Sequence, residues 1–327
     1  MFEKSYRFSD VAISQKENIC KSRLDVKIES EIIRGVFRPL PLLASNMSTV
    51  VNADFCIRLY QLGALGVMHR AFKDNNEYVK EVAKIAEQCP VVAASVGIKD
   101  SDYFLVEQLI RYGGANVLFV DVAHGYSKFA LQMCEHIKLL HPTVKVVAGN
   151  TVNPDMVKMF RHCVDAIKVG IGGGNSCSTA ETAGCTKSQF SAVYHFRQIA
   201  QEYNVPTISD GNIRCPADFT KAIGGGASCV MAGSIFARCP ESASKEIEID
   251  GVKKKVLAGM SSEYVQNKWK GGLKPGTCAE GRIKYLDIGE PVEKLLERYT
   301  GALRSAITYS GQDNINDFRN KCEFILI

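Results

Sequence analysis

Short apolar runs recur along the chain at a steady interval, each rich in β-branched residues. They are "PLLASN" (41–46), "LGVMH" (65–69), "VVAASVG" (91–97), "VLFVDVA" (117–123), "KVVAGN" (145–150), "AIKVGIG" (166–172), "PTISDG" (206–211) and "CVMAGSIF" (229–236). Each is nearly continuous in hydrophobicity, as a parallel strand covered on both faces must be. Amphipathic helical patterns lie between them: "NADFCIRLYQLGA", "DYFLVEQLIRYGG", "KFALQMCEHIKLLH" and "FSAVYHFRQIAQEY". "NPDMVKMFRHC" opens on Asn153-Pro154, a cap followed by a first helical position. Eight strands alternating with helices predict an α/β fold of the (β/α)8, or TIM, barrel type. No G-x-G-x-x-G follows the first strand, which weighs against a dinucleotide-binding open sheet.

The barrel prediction says where chemistry should lie, because side chains at strand C-termini and in the following loops face the ligand. Those positions carry Asn46, His69, Arg70, Ser95, Asp121, Asn150, the loop after Gly170, Asp210, Gly233 and Ser234. Two connections are long: Gly172 to Pro206, and residues 245–290, which read as a strand-like excursion and a mobile flap. A last helix, "VEKLLERYTGALRSAITYSG", is expected to close the barrel. No linker or composition break divides the chain, so residues 1–327 are expected to form a single domain.

Composition narrows the classes. The chain has 327 residues, 46% hydrophobic and 23% charged, as in a soluble globular protein. A net charge of +5 spread among interleaved acids gives no nucleic-acid footprint. Twelve cysteines are scattered without any C-x-x-C pair, which argues against a structural zinc site and fits a reducing, cytoplasmic setting. The N-terminal "MFEKSYRFSDVAISQ" has no signal-peptide core, and no run is long enough to span a bilayer.

The candidate chemistry centres on "KVGIGGGNSCSTAE" (168–181), four glycines running into a cysteine flanked by hydroxyls. Glycines let backbone N–H groups converge on an anion, or carbonyls on a cation; a plain flexible turn is the competing reading. Cys177 is a nucleophile candidate by its loop position, against a general expectation of inert thiols. "SDGN" (209–212) and "MAGS" (231–234) end the last two strands, where barrels often hold phosphate. Asp210 fits either a ribose contact or a helix cap. Asp121 ends an apolar strand, where a carboxylate is costly unless used or paired. Glu280 lies among flap glycines and could serve as an acid or base, or simply be solvated.

These motifs together carry a resemblance. "KVGIGGGNSCST" followed by "TKSQFSAV", "SDGN", "GGGASCVMAGSIFA" and "GMSSE", with "FSDVAIS", "SRLDV" and "ASNMSTVVN" upstream, resembles the IMP dehydrogenase/GMP reductase family along nearly the whole chain. Family members that oxidise IMP typically insert a tandem CBS module after the second strand and carry an Arg-Tyr dyad on the flap. Here no such insertion follows His69, Arg298-Tyr299 falls in the last helix, and "TCAEG" stands on the flap. The resemblance therefore implies the reductase reaction, with GMP and NADPH giving IMP, ammonia and NADP. A CBS-less IMP dehydrogenase making XMP with NAD, or a nucleotide-binding relative without turnover, are the alternatives.

By resemblance, Cys177 attacks C2 of the purine to give a thioimidate, and Thr179 and Glu280 pass protons to the departing ammonia. Asn175, Asp210, Gly211, Asn212, Gly233, Ser234, Gly259, Met260, Ser261 and Gly281 hold the nucleotide. Arg70, Asp121, Val122, Ala123, Ile171 and Gly172 face the nicotinamide cofactor, while Ser22, Arg23, Ser305 and Thr308 reach one on a neighbouring subunit of a homotetramer. Carbonyls of Gly172, Gly174, Cys177 and Ala180 bind a potassium-like cation. Against the usual Gly-Pro-Gly-Ser-Val-Cys-Thr-Thr, this loop has Gly173 for proline and Asn175 for serine. Asn212 replaces a glycine and needs a tolerated positive φ, and Thr277 replaces a flap arginine.

Overall fold

The structure is a computed structural model that describes residues 3–269 and 271–327. Eight parallel strands close into a barrel: β1 (Leu42–Ala44), β2 (Leu65–Met68), β3 (Ala93–Val96), β4 (Val117–Asp121), β5 (Lys145–Thr151), β6 (Ala166–Val169), β7 (Thr207–Asp210) and β8 (Cys229–Ala232). Each pairs with the next in sequence and β8 pairs with β1, with Met231 opposite Leu43. Closure thus comes from strand pairing. The last helix closes the outer layer, its Tyr299 packing on Phe219 on one side and its Glu293 pairing with Arg58 of the first barrel helix on the other.

The reason these runs form strands is visible in their burial. Alternate residues face opposite sides. Leu43, Val67, Phe119, Val147, Ala166, Ile208 and Met231 fill the barrel interior. Leu42, Met68, Leu118, Val146, Ile167 and Val230 face outward into the shell of helices. That shell comprises α1 (Ala53–Gln61), α2 (Asn75–Ala86), α3 (Asp100–Arg111), α4 (Lys128–Leu140), α5 (Asp155–Phe160), α7 (Gln189–Glu202) and α8 (Pro216–Gly224), whereas the short α6 (Thr179–Thr182) lies in the loop after β6. Side chains of Asn52, Asp74 and Ser127 cap α1, α2 and α4 by accepting a backbone N–H. For α5, Pro154 is the cap residue rather than the first helical one, while the Asn153 side chain still accepts the Asp155 N–H at 2.9 Å.

Three features depart from the sequence pattern. A hairpin, Ser30–Ile33 with Val36–Arg38, precedes β1, and its Ile32, Ile33 and Val36 join the interior cluster. The run "CVMAGSIF" is strand only to Ala232, and Ser234–Ala237 forms α9. The excursion after β8 is an antiparallel sheet of β9 (Glu246–Ile249), β10 (Val252–Ala258) and β11 (Ile283–Asp287), with α10 (Glu263–Trp269) in its long connection. The final helix α11 (Val292–Tyr309) packs on α8, where Tyr299 and Phe219 rings lie 5.6 Å apart. Residues Val11–Ile13 pair antiparallel with Phe324–Leu326, tying both ends of the chain together. Among the described residues, no helix is long and apolar enough to cross a membrane.

Candidate active site

The glycine loop leaves β6 at Gly170, whose φ of 145° suits glycine; a Cβ there would stand 2.1 Å from the Asp210 carbonyl oxygen. Behind it, Gln189 at the start of α7 donates to the Val169 carbonyl at 2.8 Å and to the Ser209 hydroxyl at 3.1 Å, locking β6 to β7. The loop then docks against the flap. The Ser178 N–H donates to the Glu280 carbonyl at 2.9 Å, and the Arg282 N–H donates to the Ser176 carbonyl at 2.8 Å. Gly281 sits inside this ladder, where a Cβ would come 2.9 Å from the Ser262 nitrogen, so no larger residue fits without a shift. The Arg282 guanidinium adds an ion pair to Glu181 at 2.6 Å.

Docking brings three side chains into line. Cys177 Sγ lies 3.2 Å from Thr179 Oγ1, and the Thr179 hydroxyl donates to Glu280 Oε2 at 2.7 Å. With that hydroxyl proton committed to the carboxylate, the Thr179 oxygen is free to accept from the thiol. Nucleophile, hydroxyl and carboxylate form one proton path across 101 residues of sequence between Thr179 and Glu280.

All three line a cavity of about 440 Å³ at the C-terminal end of the barrel. Its floor is a buried cluster of charge. Lys168 points inward from β6 and reaches Asp121 Oδ1 at 3.0 Å and Asp210 Oδ2 at 2.6 Å. Asn46 donates to the other oxygen of Asp121 at 2.6 Å, and Asn150 donates to Asp210 Oδ2 at 2.9 Å. Arg70 donates to the Asp121 carbonyl at 3.2 Å. Burial alone would lower the Lys168 pKa, but the Asp121 and Asp210 charges outweigh it and hold the ammonium protonated. Burial likewise pushes the Asp121 carboxyl up, and Lys168 with Asn46 brings it below the ordinary aspartate range. At the edge of this region, burial, with a smaller push from Lys268, depresses the His69 pKa to about 3.

Nearly every residue predicted for the site lines this one cavity. Arg70, Asp121, Val122 and Ala123 lie at one end, and Gly211, Asn212, Gly233, Ser234, Gly259, Met260, Ser261 and Gly281 line it with Ile171, Gly172, Gly174 and Asn175. The Asp210 carboxylate lines the cavity, held by Lys168 and Asn150, and the helix that follows is capped at Cys215 instead. Asn212 adopts φ 59°, the left-handed conformation its place in the glycine position demands. Ser22, Arg23, Ser305, Thr308 and Ala180 do not line the cavity. The Arg23 guanidinium donates to the Ser305 hydroxyl at 3.1 Å, so two of these gather elsewhere on the molecule. Of the carbonyls expected to hold a cation, that of Gly174 accepts the Cys177 N–H at 3.0 Å, and that of Cys177 lies 3.5 Å from the Arg282 guanidinium. Arg298 and Tyr299 sit in α11, with Arg298 paired to Glu290 at 2.5 Å and Tyr299 buried, away from the flap.

Lys168 is the residue sequence reasoning passed over. A lysine in an otherwise apolar strand, one position before its C-terminal end, was the available signal.

The fold and the site define a (β/α)8 barrel whose strand ends carry a loop-borne thiol, a flap-borne carboxylate and a charged floor. The profile of the IMP dehydrogenase / GMP reductase domain matches residues 5–327. The chain is 32% identical over 326 residues to a protein named GMP reductase from Enterobacter sp. (strain 638), spanning 98% of this chain and 94% of that one. It is 31% identical to a GMP reductase of Phytophthora infestans, over 98% of this chain and 90% of the relative. A GMP reductase of Klebsiella pneumoniae is 32% identical over the same 98% of this chain and 94% of its own length. The chain belongs to the IMP dehydrogenase/GMP reductase family.

Proposed function

We propose that the protein is a GMP reductase, an oxidoreductase that converts GMP to IMP and ammonia with NADPH as reductant. The observation that carries this reading is the unbroken path Cys177–Thr179–Glu280, with the carboxylate supplied by the flap. The Cys177 thiol yields its proton through Thr179 to Glu280, and the sulfur adds to C2 of the purine. The relay returns a proton to the 2-amino group, which leaves as ammonia and gives a thioimidate on Cys177. A hydride from a bound NADPH would be added at C2, and cleavage of the carbon–sulfur bond would then release IMP and the Cys177 thiolate, which regains its proton from solvent.

The shared cavity supports this pairing of ligands, since Cys177 and the Asp121–Ala123 segment both face it. Asp210 and Asn175, with the backbone around Gly211–Asn212, Gly233–Ser234, Gly259–Ser261 and Gly281, would bind ribose and phosphate. Arg70, Asp121, Val122, Ala123, Ile171 and Gly172 would orient the nicotinamide, and Ser22, Arg23, Ser305 and Thr308 would meet a cofactor held by a neighbouring copy in a tetramer. The docked flap covers the thioimidate, which water would otherwise hydrolyse to XMP. The test is NADPH oxidation in the presence of GMP, with the product identified. Stoichiometric IMP and ammonia support the reading, and loss of at least about a thousandfold is expected for Cys177→Ser. XMP formed from IMP and NAD, with no NADPH consumption on GMP, would instead make it a dehydrogenase.

A further inference from the structure

The proton path does not use the ionic cluster on the cavity floor, and Lys168, which joins its two carboxylates, has no role in the proposed chemistry. Asp121, Lys168 and Asp210 project inward from β4, β6 and β7, directly above the interior positions held by Phe119, Ala166 and Ile208. A barrel's inner layers are ordinarily filled by branched apolar side chains. Here the top layer is ionic, and the Lys168 side chain is 4% exposed while those of Asp121 and Asp210 are 21% and 19% exposed. The cation is therefore interior, and the two anions present their free faces to the cavity. Asn46 and Asn150 each occupy an oxygen of one carboxylate and fix its orientation.

We infer that Lys168 is a positioning residue that holds Asp121 and Asp210 in one charge-balanced cluster, so that both ends of the cavity are set by a single ammonium. This rests on the reading of Asp121 as cofactor-side and Asp210 as nucleotide-side. Removing the ammonium leaves two buried carboxylates that repel each other with nothing between them. Each then turns away, or takes a proton and becomes a donor where its ligand needs an acceptor. Lys168 lies nearly buried beneath the two carboxylates, and both ligands should feel its loss.

The experiment measures dissociation constants for GMP and for NADP by calorimetry on wild-type protein, Lys168→Met, and two double variants that restore the net charge. Lys168→Met should weaken both ligands by about tenfold or more. Lys168→Met/Asp121→Asn should bring GMP back to within about threefold of wild type while NADP stays weak, and Lys168→Met/Asp210→Asn should do the reverse. A merely structural lysine would lower the thermal midpoint but leave the constants of the folded protein unchanged. Constants within about twofold of wild type in Lys168→Met overturn the inference. If that variant does not fold, the charge-restored pairs decide, and recovery of both ligands or of neither in each pair overturns it. Because the readout is binding, wild-type protein that binds both ligands without turnover overturns the proposed reaction and leaves Lys168 decided on its own result.

Discussion

Thr179 is where thiol and carboxylate meet, and its hydroxyl does two jobs at once. Thr179→Ala should lower kcat by about a hundredfold or more with a much smaller change in KM for GMP, whereas Thr179→Ser should keep most of the activity. Steady-state rates at saturating GMP check both. His69 gives a different residue-scale expectation. Its Nδ1 accepts the Ala71 N–H at 3.1 Å, its ring stacks on Phe72 at 4.7 Å, and its pKa falls to about 3 in the fold. The unfolded chain takes up that proton near the ordinary histidine value of about 6.5, so the folded state loses stability as pH drops from there toward 3. The slope attributable to this one group approaches about 1.4 kcal/mol per pH unit. Denaturant midpoints of wild type and His69→Asn between pH 7 and 5 should diverge, with the variant less sensitive to acid. Cys177 was legible as a candidate from its loop position and Glu280 as an open one among flap glycines, whereas the proton-passing roles of Thr179 and Glu280 entered only through the family resemblance. That the three side chains stand in one line is visible only in the fold. Lys168 was not legible, since its partners come from strands distant in sequence, and only closure of the barrel sets them within reach.

At the scale of elements, the glycine loop and the flap behave as one unit. Gly281→Ala places a methyl group against the Ser262 nitrogen and the Gly259 Cα, within a ladder that has no slack. The expected result is a large fall in kcat with little change in the thermal midpoint, measured on the same preparation, because the ladder lies outside the barrel core. The barrel strands were readable since all-apolar runs have few alternatives once eight of them alternate with amphipathic helices. The β9–β10 hairpin was readable in principle. Asp250 and Gly251 adopt φ 51° and 76°, and Asp-Gly between alternating residues is a strong two-residue turn signal. The hairpin at residues 30–38 carries a weaker one, Arg34-Gly35, and its apolar residues are too few to separate from a loop by period alone. Its burial depends on the barrel it plugs, which local pattern does not contain.

For the molecule as a whole, that hairpin decides which end of the barrel is solid. Ile32 and Ile33 are fully buried within the interior cluster, so Ile32→Ala should cost about 2–5 kcal/mol by leaving a cavity where the barrel is plugged. Chemical denaturation measures that cost, and nucleotide affinity of the folded variant should be unchanged. The cavity lies at the opposite end, and its lining comes from segments as far apart as the loop after β1 and the flap. One consequence follows from how the loop docks. Residues 176–179 and 280–282 form both the ladder beside the thiol and the line that would carry its proton. Any parting of the two segments takes the carboxylate off Thr179 at the same moment that it admits water. Exposure and reactivity are then mutually exclusive, and closure and proton transfer share one kinetic coordinate. Added viscogen and deuterated solvent should therefore slow the same step, and an intermediate already formed should be committed to reduction before solvent can reach it.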